Sequence, residues 1–344
     1  MKKRIICICM AALLSLSLLA GCGAEGNTDT EQDAAAQTVT VRLSEVTHSV
    51  FYAPQYVAMS QGFFADEGLD IDLSNGGGAD KVMTAVVSGG ADIGLAGPES
   101  CIYIHGQGKD DLPVIFAQLT KRDGSFLVGR TDEDFDWSNL KGKTIIGGRK
   151  GGVPEMTLEY VLRHNGVEPQ EDAVVDTSVQ FNMMAGAFTG GQGDYVTLFE
   201  PTATEVELAG QGVVLCSIGE QSGEIPYTAY FAAQSYLTEN ADTVLRFTRA
   251  IARGQEWVYA HTDRELAEAI VGYFPDTSVE VLEKVAARYK GIRAWKETPD
   301  MKLEALERLE TVMEQAGELS QRVAYEALVE NEFAYHVMAE MGQK

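Results

Sequence analysis

A two-lobed α/β fold, each lobe a mixed, mostly parallel sheet flanked by helices with a cleft between them, is the architecture this sequence predicts. Short β-branched runs alternate with helical patterns, as βαβ units require. Glycine clusters punctuate the junctions, and the alternation starts afresh near Gly124. With 344 residues the chain is long enough for two lobes with separate cores rather than one oversized core.

The elements follow in order. Val39 to Leu43 is the first expected strand. Pro54 to Gln61 reads as a helix stopped by Gly62, with Tyr56, Val57 and Ser60 near one face. Ile71 to Leu73 is the second strand, and Gly76-Gly77-Gly78 leads into a helix with Val82, Met83, Val86 and Val87 at helical spacing. Asp92 to Ala96 is a third strand, after which Pro98 opens another helix. The second set comprises strands at Phe126 to Val128 and Thr144 to Gly147, then a helix opened by Pro154 and closed by Gly166. Further strands are expected at Val174 and Val175, Asp194 to Leu198, and Val213 to Cys216, with a helix from Met183 to Phe188. Beyond Tyr236 the pattern is helical: a long amphipathic stretch through Tyr259, then Arg264 to Tyr273, Ser278 to Tyr289 and Met301 to Gln315.

The first residues concern targeting rather than fold. Lys2, Lys3 and Arg4 precede an apolar run from Ile5 to Ala20 that ends in small residues before Cys22. That run falls short of the ~20 residues of a membrane span, and its order is that of an export signal over residues 1–21. From Gly23 to Gln37 no large apolar residue occurs, so residues 22–37 are expected to be a flexible tether, with folding from Thr38.

The formal net charge is −24, and no cluster of Lys and Arg follows Arg4, which excludes nucleic acid as a partner. Of five cysteines, Cys7 and Cys9 lie in the signal, and Cys101 and Cys216 are expected to be buried free thiols, a disulfide between them being the alternative. The histidines His48, His105, His164, His261 and His336 show no metal-ligand spacing. Neither a metal, a cofactor nor a catalytic residue is expected.

Several motifs together resemble one family. Ala53-Pro54-Gln55-Tyr56-Val57-Ala58 running into Gly62-Phe63-Phe64 and Glu67-Gly68-Leu69-Asp70, and Gly89-Gly90-Ala91-Asp92-Ile93-Gly94, are similar to signatures of the type II solute-binding proteins of sulfonate, nitrate and thiamine-pyrimidine ABC importers. Leu140-Lys141-Gly142-Lys143, and Gly193-Asp194-Tyr195 before Glu200-Pro201, match that family's second lobe. The resemblance covers about Val39 to Tyr259. It implies a type II periplasmic-binding-protein fold, with a discontinuous first lobe (38–121 plus 230–344) and an inserted second lobe (122–229). The crossings fall near Thr120 to Ser125 and Ile225 to Ala232, and closure about them would trap the ligand. Leu19-Ala20-Gly21-Cys22 resembles the lipobox of bacterial lipoproteins, which implies lipidation of Cys22 and an anchor at the outer face of the cytoplasmic membrane. By the same resemblance the partners are a small-molecule ligand, an ABC permease and, through it, an ATPase, with the chain a monomer. A ligand-presenting sensor is the rival binding role. The enzyme rival is a pyrimidine-synthase relative, whose cysteine-rich iron-site motif this sequence lacks.

Ligands of open α/β sheets sit outside the carboxyl ends of strands, where helix N-termini present free amides. Four junctions qualify: Ser44 to Tyr52, with His48, Phe51 and Tyr52; Gly76 to Asp80; Gly97 to Ser100, with Glu99; and Gly147 to Glu155. In the last, Arg149, Lys150, Gly151 and Gly152 suit an anionic group, or a plain glycine-rich turn. Glu99 and Glu200 offer carboxylates, and Tyr52, Phe199 and Tyr227 offer rings for a flat ligand. Two carboxylates call for N–H donors or a cation. A thiamine-precursor aminopyrimidine or related heterocycle is therefore expected ahead of a sulfonate or nitrate.

Overall fold

The computed structural model describes residues 38–107 and 110–343. The expected signal, Cys22 and the tether lie outside the described residues. Two five-stranded sheets form the frame.

In the first sheet, β1 (Val39–Glu45) is flanked on either side by parallel neighbours, β2 (Leu69–Asn75) and β3 (Ile93–Ala96). Between β1 and β2 lie a 3-10 turn (Val50–Tyr52), α1 (Ala53–Ser60) and α2 (Phe63–Asp66). Pro54 opens α1, where its missing N–H costs nothing. α3 (Ala79–Val87) returns the chain to β3, burying Val82, Met83 and Val86 at helical spacing. α4 (Glu99–His105) leads to β4 (Pro113–Thr120), a strand buried along all eight residues.

The chain then crosses through residues 121–124 to the second sheet, ordered β7-β6-β8-β5-β9. Its strands are β5 (Ser125–Gly129), β6 (Thr144–Ile146), β7 (Val174–Asp176), β8 (Tyr195–Phe199) and β9 (Val213–Ser217). They are joined by α5 (Val153–His164), α6 (Met184–Thr189) and α7 (Thr202–Leu208). After β9, α8 (Ile218–Ser222) and residues 223–227 carry the chain back to β10 (Thr228–Ala233) in the first sheet.

In each sheet the βαβ units make the parallel ladders, and the remaining two ladders are antiparallel. The antiparallel strands include β5 and β10, the two that begin directly after a crossing. β10 starts at Thr228, inside the span expected for the second crossing.

The remaining helices are α9 (Gln234–Glu239), α10 (Ala241–Ala260), α11 (Asp263–Ile270), α12 (Val279–Gly291), α13 (Leu303–Gln315), α14 (Tyr325–Leu328) and α15 (Glu332–Glu340). A reciprocal cap between Thr262 and Glu265 starts α11. Gly254 lets α10 lie on α1, since a Cβ there would stand 2.2 Å from the Pro54 carbonyl oxygen. The C-terminal helices touch both halves: α12 packs on α11 and on α7, and α13 on α5. One apolar core accordingly runs from Val41 and Leu43 through Phe126 and Val196 to Leu309, and a smaller cluster around Leu158 and Leu162 lies in the second half. Cys101 and Cys216 are unbridged, Cys101 fully buried and Cys216 partly so. Among the described residues no helix is long and apolar enough to cross a membrane.

Candidate ligand-binding site

The carboxyl ends of β1 and β3 meet the starts of β5 and β10 and the ends of β6 and β8, because antiparallel strands enter at the edge where parallel ones leave. The expected junctions follow the carboxyl ends of β1, β2, β3 and β6, and Gly76 donates its amide to the Glu45 carbonyl at 2.8 Å.

Aromatic rings fill its centre. Phe51, 1% exposed, packs on Tyr52 (5.8 Å between ring centroids), Phe199 (5.6 Å), Tyr227 (5.6 Å) and Tyr289 (5.3 Å). Gly124 makes room, since a Cβ there would sit 2.5 Å from the Phe51 ring. The Trp295 indole donates to the Phe51 carbonyl at 2.8 Å. Phe51, Tyr52, Phe199 and Tyr227 were expected at the site; Tyr289 and Trp295 come from the helical tail, where no site residue was expected. The expected cleft between the lobes falls at these rings, which pack on one another. Two surface concavities lie elsewhere, around Gln234, Leu237 and His336 and around His105, Asp111 and Gln234, where β10 ends and β4 begins, at the opposite edge of the first sheet.

Beside the rings lie polar atoms with no partner. Glu99 is 4% exposed and its Oε2 makes no hydrogen bond. Its carboxylate folds back over Gly97 into the space a Cβ would take. Burial pushes Glu99 up to about 7, opposed by the backbone amides of Glu99 and Ser100 and the charge of Arg149. Asp123, in the first crossing, is fully buried: Oδ1 accepts from the Ser125 amide at 2.6 Å, while Oδ2 is unpartnered. It too is pushed up to about 7 by burial. The buried hydroxyls of Ser125 and Tyr227 stand beside the Asp123 carboxyl and oppose the effect of its burial, though neither meets it in good hydrogen-bond geometry.

Other expected residues are engaged within the protein. Glu200 accepts from Arg288 Nη1 at 2.8 Å, the Thr204 amide at 2.9 Å and the Thr204 hydroxyl at 3.0 Å, and its own amide donates to the Tyr289 hydroxyl. The Ser100 hydroxyl donates to the Gly97 carbonyl at 2.7 Å. His48 stacks on Phe274 at 4.7 Å, with Nδ1 2.9 Å from Glu45 Oε1 and Nε2 2.8 Å from the Tyr273 carbonyl. Both ring nitrogens thus face acceptors, which favours the imidazolium, and the Glu45 contact is the main cause of its raised pKa. Glu45, buried at the end of β1, also accepts from Gln55 and Tyr56, a network no sequence pattern announced.

The glycine-rich junction is partly self-satisfied. Gly151 N–H donates to Glu155 at 3.0 Å, Gly151 carbonyl accepts from Tyr103 of α4 at 3.1 Å, and Lys150 stands 3.9 Å from Glu318. Burial and the neighbouring Glu159 charge raise Glu155. Gly152 caps α5 with no side chain, and Arg149 and Lys150 are exposed.

Two α/β sheets joined by two crossings, with their strand ends meeting over a buried site, define a protein of the periplasmic-binding-protein fold. The alkanesulfonate-binding protein SsuA from Xanthomonas axonopodis pv. citri, bound to MOPS, superposes with a TM-score of 0.68 at 16% identity, over 86% of this chain and 99% of that one. Residues 50–265 match the NMT1/THI5-like family, and the chain belongs to it. "Putative binding protein YtlA" of Bacillus subtilis (strain 168) is 44% identical over 334 residues, 96% of this chain and 97% of that protein. The formylaminopyrimidine-binding protein of Halalkalibacterium halodurans is 24% identical over 75% of this chain and 76% of its own length.

Proposed function

We propose that this chain is the extracytoplasmic substrate-binding protein of an ABC importer and that its cargo is a small flat heterocycle bearing an amine, an aminopyrimidine or a close relative. The observation that carries this reading is Glu99: a buried carboxyl with an unpartnered oxygen, close enough to Tyr52 and Tyr227 of the ring cluster for its charge to act on both. Buried polar groups are almost always hydrogen-bonded, so an orphan carboxyl beside aromatic faces asks for an N–H donor on a flat ligand. The pyrimidine-binding relative supports the same class. A simple oxyanion suits the site less, because Glu155 already takes the Gly151 amide. The cargo enters when the two sheets part about residues 121–124 and 218–227, separating Phe51 from Phe199. Lipidation of Cys22 holds the protein at the membrane, a permease and its ATPase receive the cargo, and the cargo leaves chemically unchanged.

Calorimetry of the full chain with an aminopyrimidine carrying an aminomethyl arm, with an alkanesulfonate and with nitrate tests the reading. Saturable binding of the pyrimidine, and its unchanged recovery, are expected. Glu99→Gln is expected to weaken it by about 1.5–3 kcal/mol, roughly ten- to hundredfold. Tight sulfonate or nitrate binding with no response to the pyrimidine would overturn it.

A further inference from the structure

Among the described residues Phe181 is the only exposed phenylalanine, with 48% of its surface in water. A single apolar side chain at a surface is ordinary. Phe181 is not single, however: its ring lies 5.6 Å from that of Phe199, tilted by 55°. Phe199 packs in turn on Phe51 at 5.6 Å and on Tyr227 at 6.0 Å. A line of rings therefore runs from Phe51, shut off from water, through the partly buried Phe199 to Phe181 in solvent.

The loop that carries Phe181 is fixed at its base. Asp176, the last residue of β7, accepts at Oδ1 from the Ser178 amide at 2.9 Å and the Ser178 hydroxyl at 2.6 Å, and at Oδ2 from the Gln192 side chain at 3.1 Å. Phe181–Met183 then form one 3-10 turn, closed by the Met183 amide donating to the Gln180 carbonyl at 2.8 Å, which runs into α6. β7 and β8 flank β6 and run parallel to it, so the loop after β7 and Phe199 at the end of β8 share one edge of the second sheet. This separates Phe181 from the other ring neighbours of Phe199. Phe51 belongs to the first half and Tyr227 to the second crossing, so both contacts change when the halves part, whereas Phe181 and Phe199 move together.

We infer that Phe181 is a positioning residue: it holds the Phe199 ring in its stacking orientation while the halves are apart, so that an incoming cargo meets that ring already in place. This rests on the reading above, in which the cargo separates Phe51 from Phe199, and adds what keeps Phe199 ordered once Phe51 has withdrawn. A side chain immobilised only on binding weakens the complex by the freedom it loses, and one already held does not. Phe181 acts through Phe199 and has no need to touch the cargo. Its half-exposed ring matters little to the fold, because truncations at the surface ordinarily change stability only slightly.

The test is a double-mutant cycle on the full chain, read by calorimetry with the aminopyrimidine carrying an aminomethyl arm. Phe181→Ala is expected to weaken binding about three- to tenfold, the scale of one aromatic pair, with the urea midpoint at the wild-type value. Phe181→Tyr restores the ring and is expected to restore the affinity. Leu208→Ala removes another exposed apolar side chain of the second half, 55% exposed on α7, and is expected to leave binding unchanged. In a Phe199→Ala background, Phe181→Ala is expected to have no further effect, because the ring it positions is gone. Equal losses with and without Phe199, or wild-type affinity in Phe181→Ala, would overturn the positioning role while the heterocycle reading stands. A wild type that does not bind the probe would end that reading, and the role of Phe181 with it.

Discussion

Glu99 and Asp123 are acids kept from water, and each is pushed up to about 7 by burial. An acid whose folded pKa lies above its unfolded one holds its proton more tightly in the folded chain. Its stabilising contribution is full below the unfolded value and is lost as pH rises through the folded one. From the ordinary values of 4.5 for Glu and 3.8 for Asp, the window therefore runs from about pH 4 to about pH 7. Each group accounts for up to about 3–4 kcal/mol across it. Urea unfolding at pH 5 and pH 8 is expected to show the wild type weaker at the higher pH, with Glu99→Gln/Asp123→Asn losing much less; parallel losses would mean that neither acid is held protonated. The two were unequally legible. Glu99 stands out in sequence because it follows Pro98 at the end of an apolar strand, where an acid in a first helical turn is conspicuous. Asp123 sits in Lys121-Arg122-Asp123-Gly124, which looks like an ordinary polar turn. Its burial is produced by distant residues such as Tyr227 and Gly219, whose approach leaves no local trace.

At the scale of elements, the longer helices and most strands were legible, while β4, β10 and several short helices were not. The long amphipathic stretch through Tyr259, the helix opened by Pro154 and the stripe from Leu303 to Met313 all correspond to helices. β4 and β10 escaped because both are central or wholly buried: Pro113–Thr120 and Thr228–Ala233 show no alternation, since neither face meets water. Their antiparallel direction was equally hidden, because the alternation of strands and helices implies parallel pairing only within βαβ units. The contact of α10 with α1 gives a sharp test. In Gly254→Ala the new methyl would lie 2.2 Å from the Pro54 carbonyl oxygen, a backbone atom that cannot rotate aside. We expect a loss of about 1–3 kcal/mol in urea unfolding, typical of overpacking. An unaltered midpoint would show that the two helices are free to move apart.

Across the whole molecule, Glu200 illustrates what a sequence places well and what it leaves open. The strand end was legible from Asp194 to Phe199, but the partner was not, because Arg288 lies 88 residues further along, on α12. Arg288 also donates to Glu207 of α7, so α12 is pinned to the second sheet while it packs on α11 beside the first. Arg288→Met would keep the packing and strand a fully buried carboxylate. Breaking a buried pair from one side costs about 3–5 kcal/mol, so a marked drop in the urea midpoint is expected. An unchanged midpoint would mean that Thr204 alone satisfies Glu200.

The rings of Phe51, Phe199 and Tyr227 come from three segments well separated in the chain and pack on one another. On the reading proposed above, a guest seated among them would have to part contacts that the protein already makes with itself. Its apparent affinity is the intrinsic one diluted by the fraction of molecules with the rings apart. If a cargo binds between the sheets as proposed above, the same rings closing behind a departed guest would oppose its return.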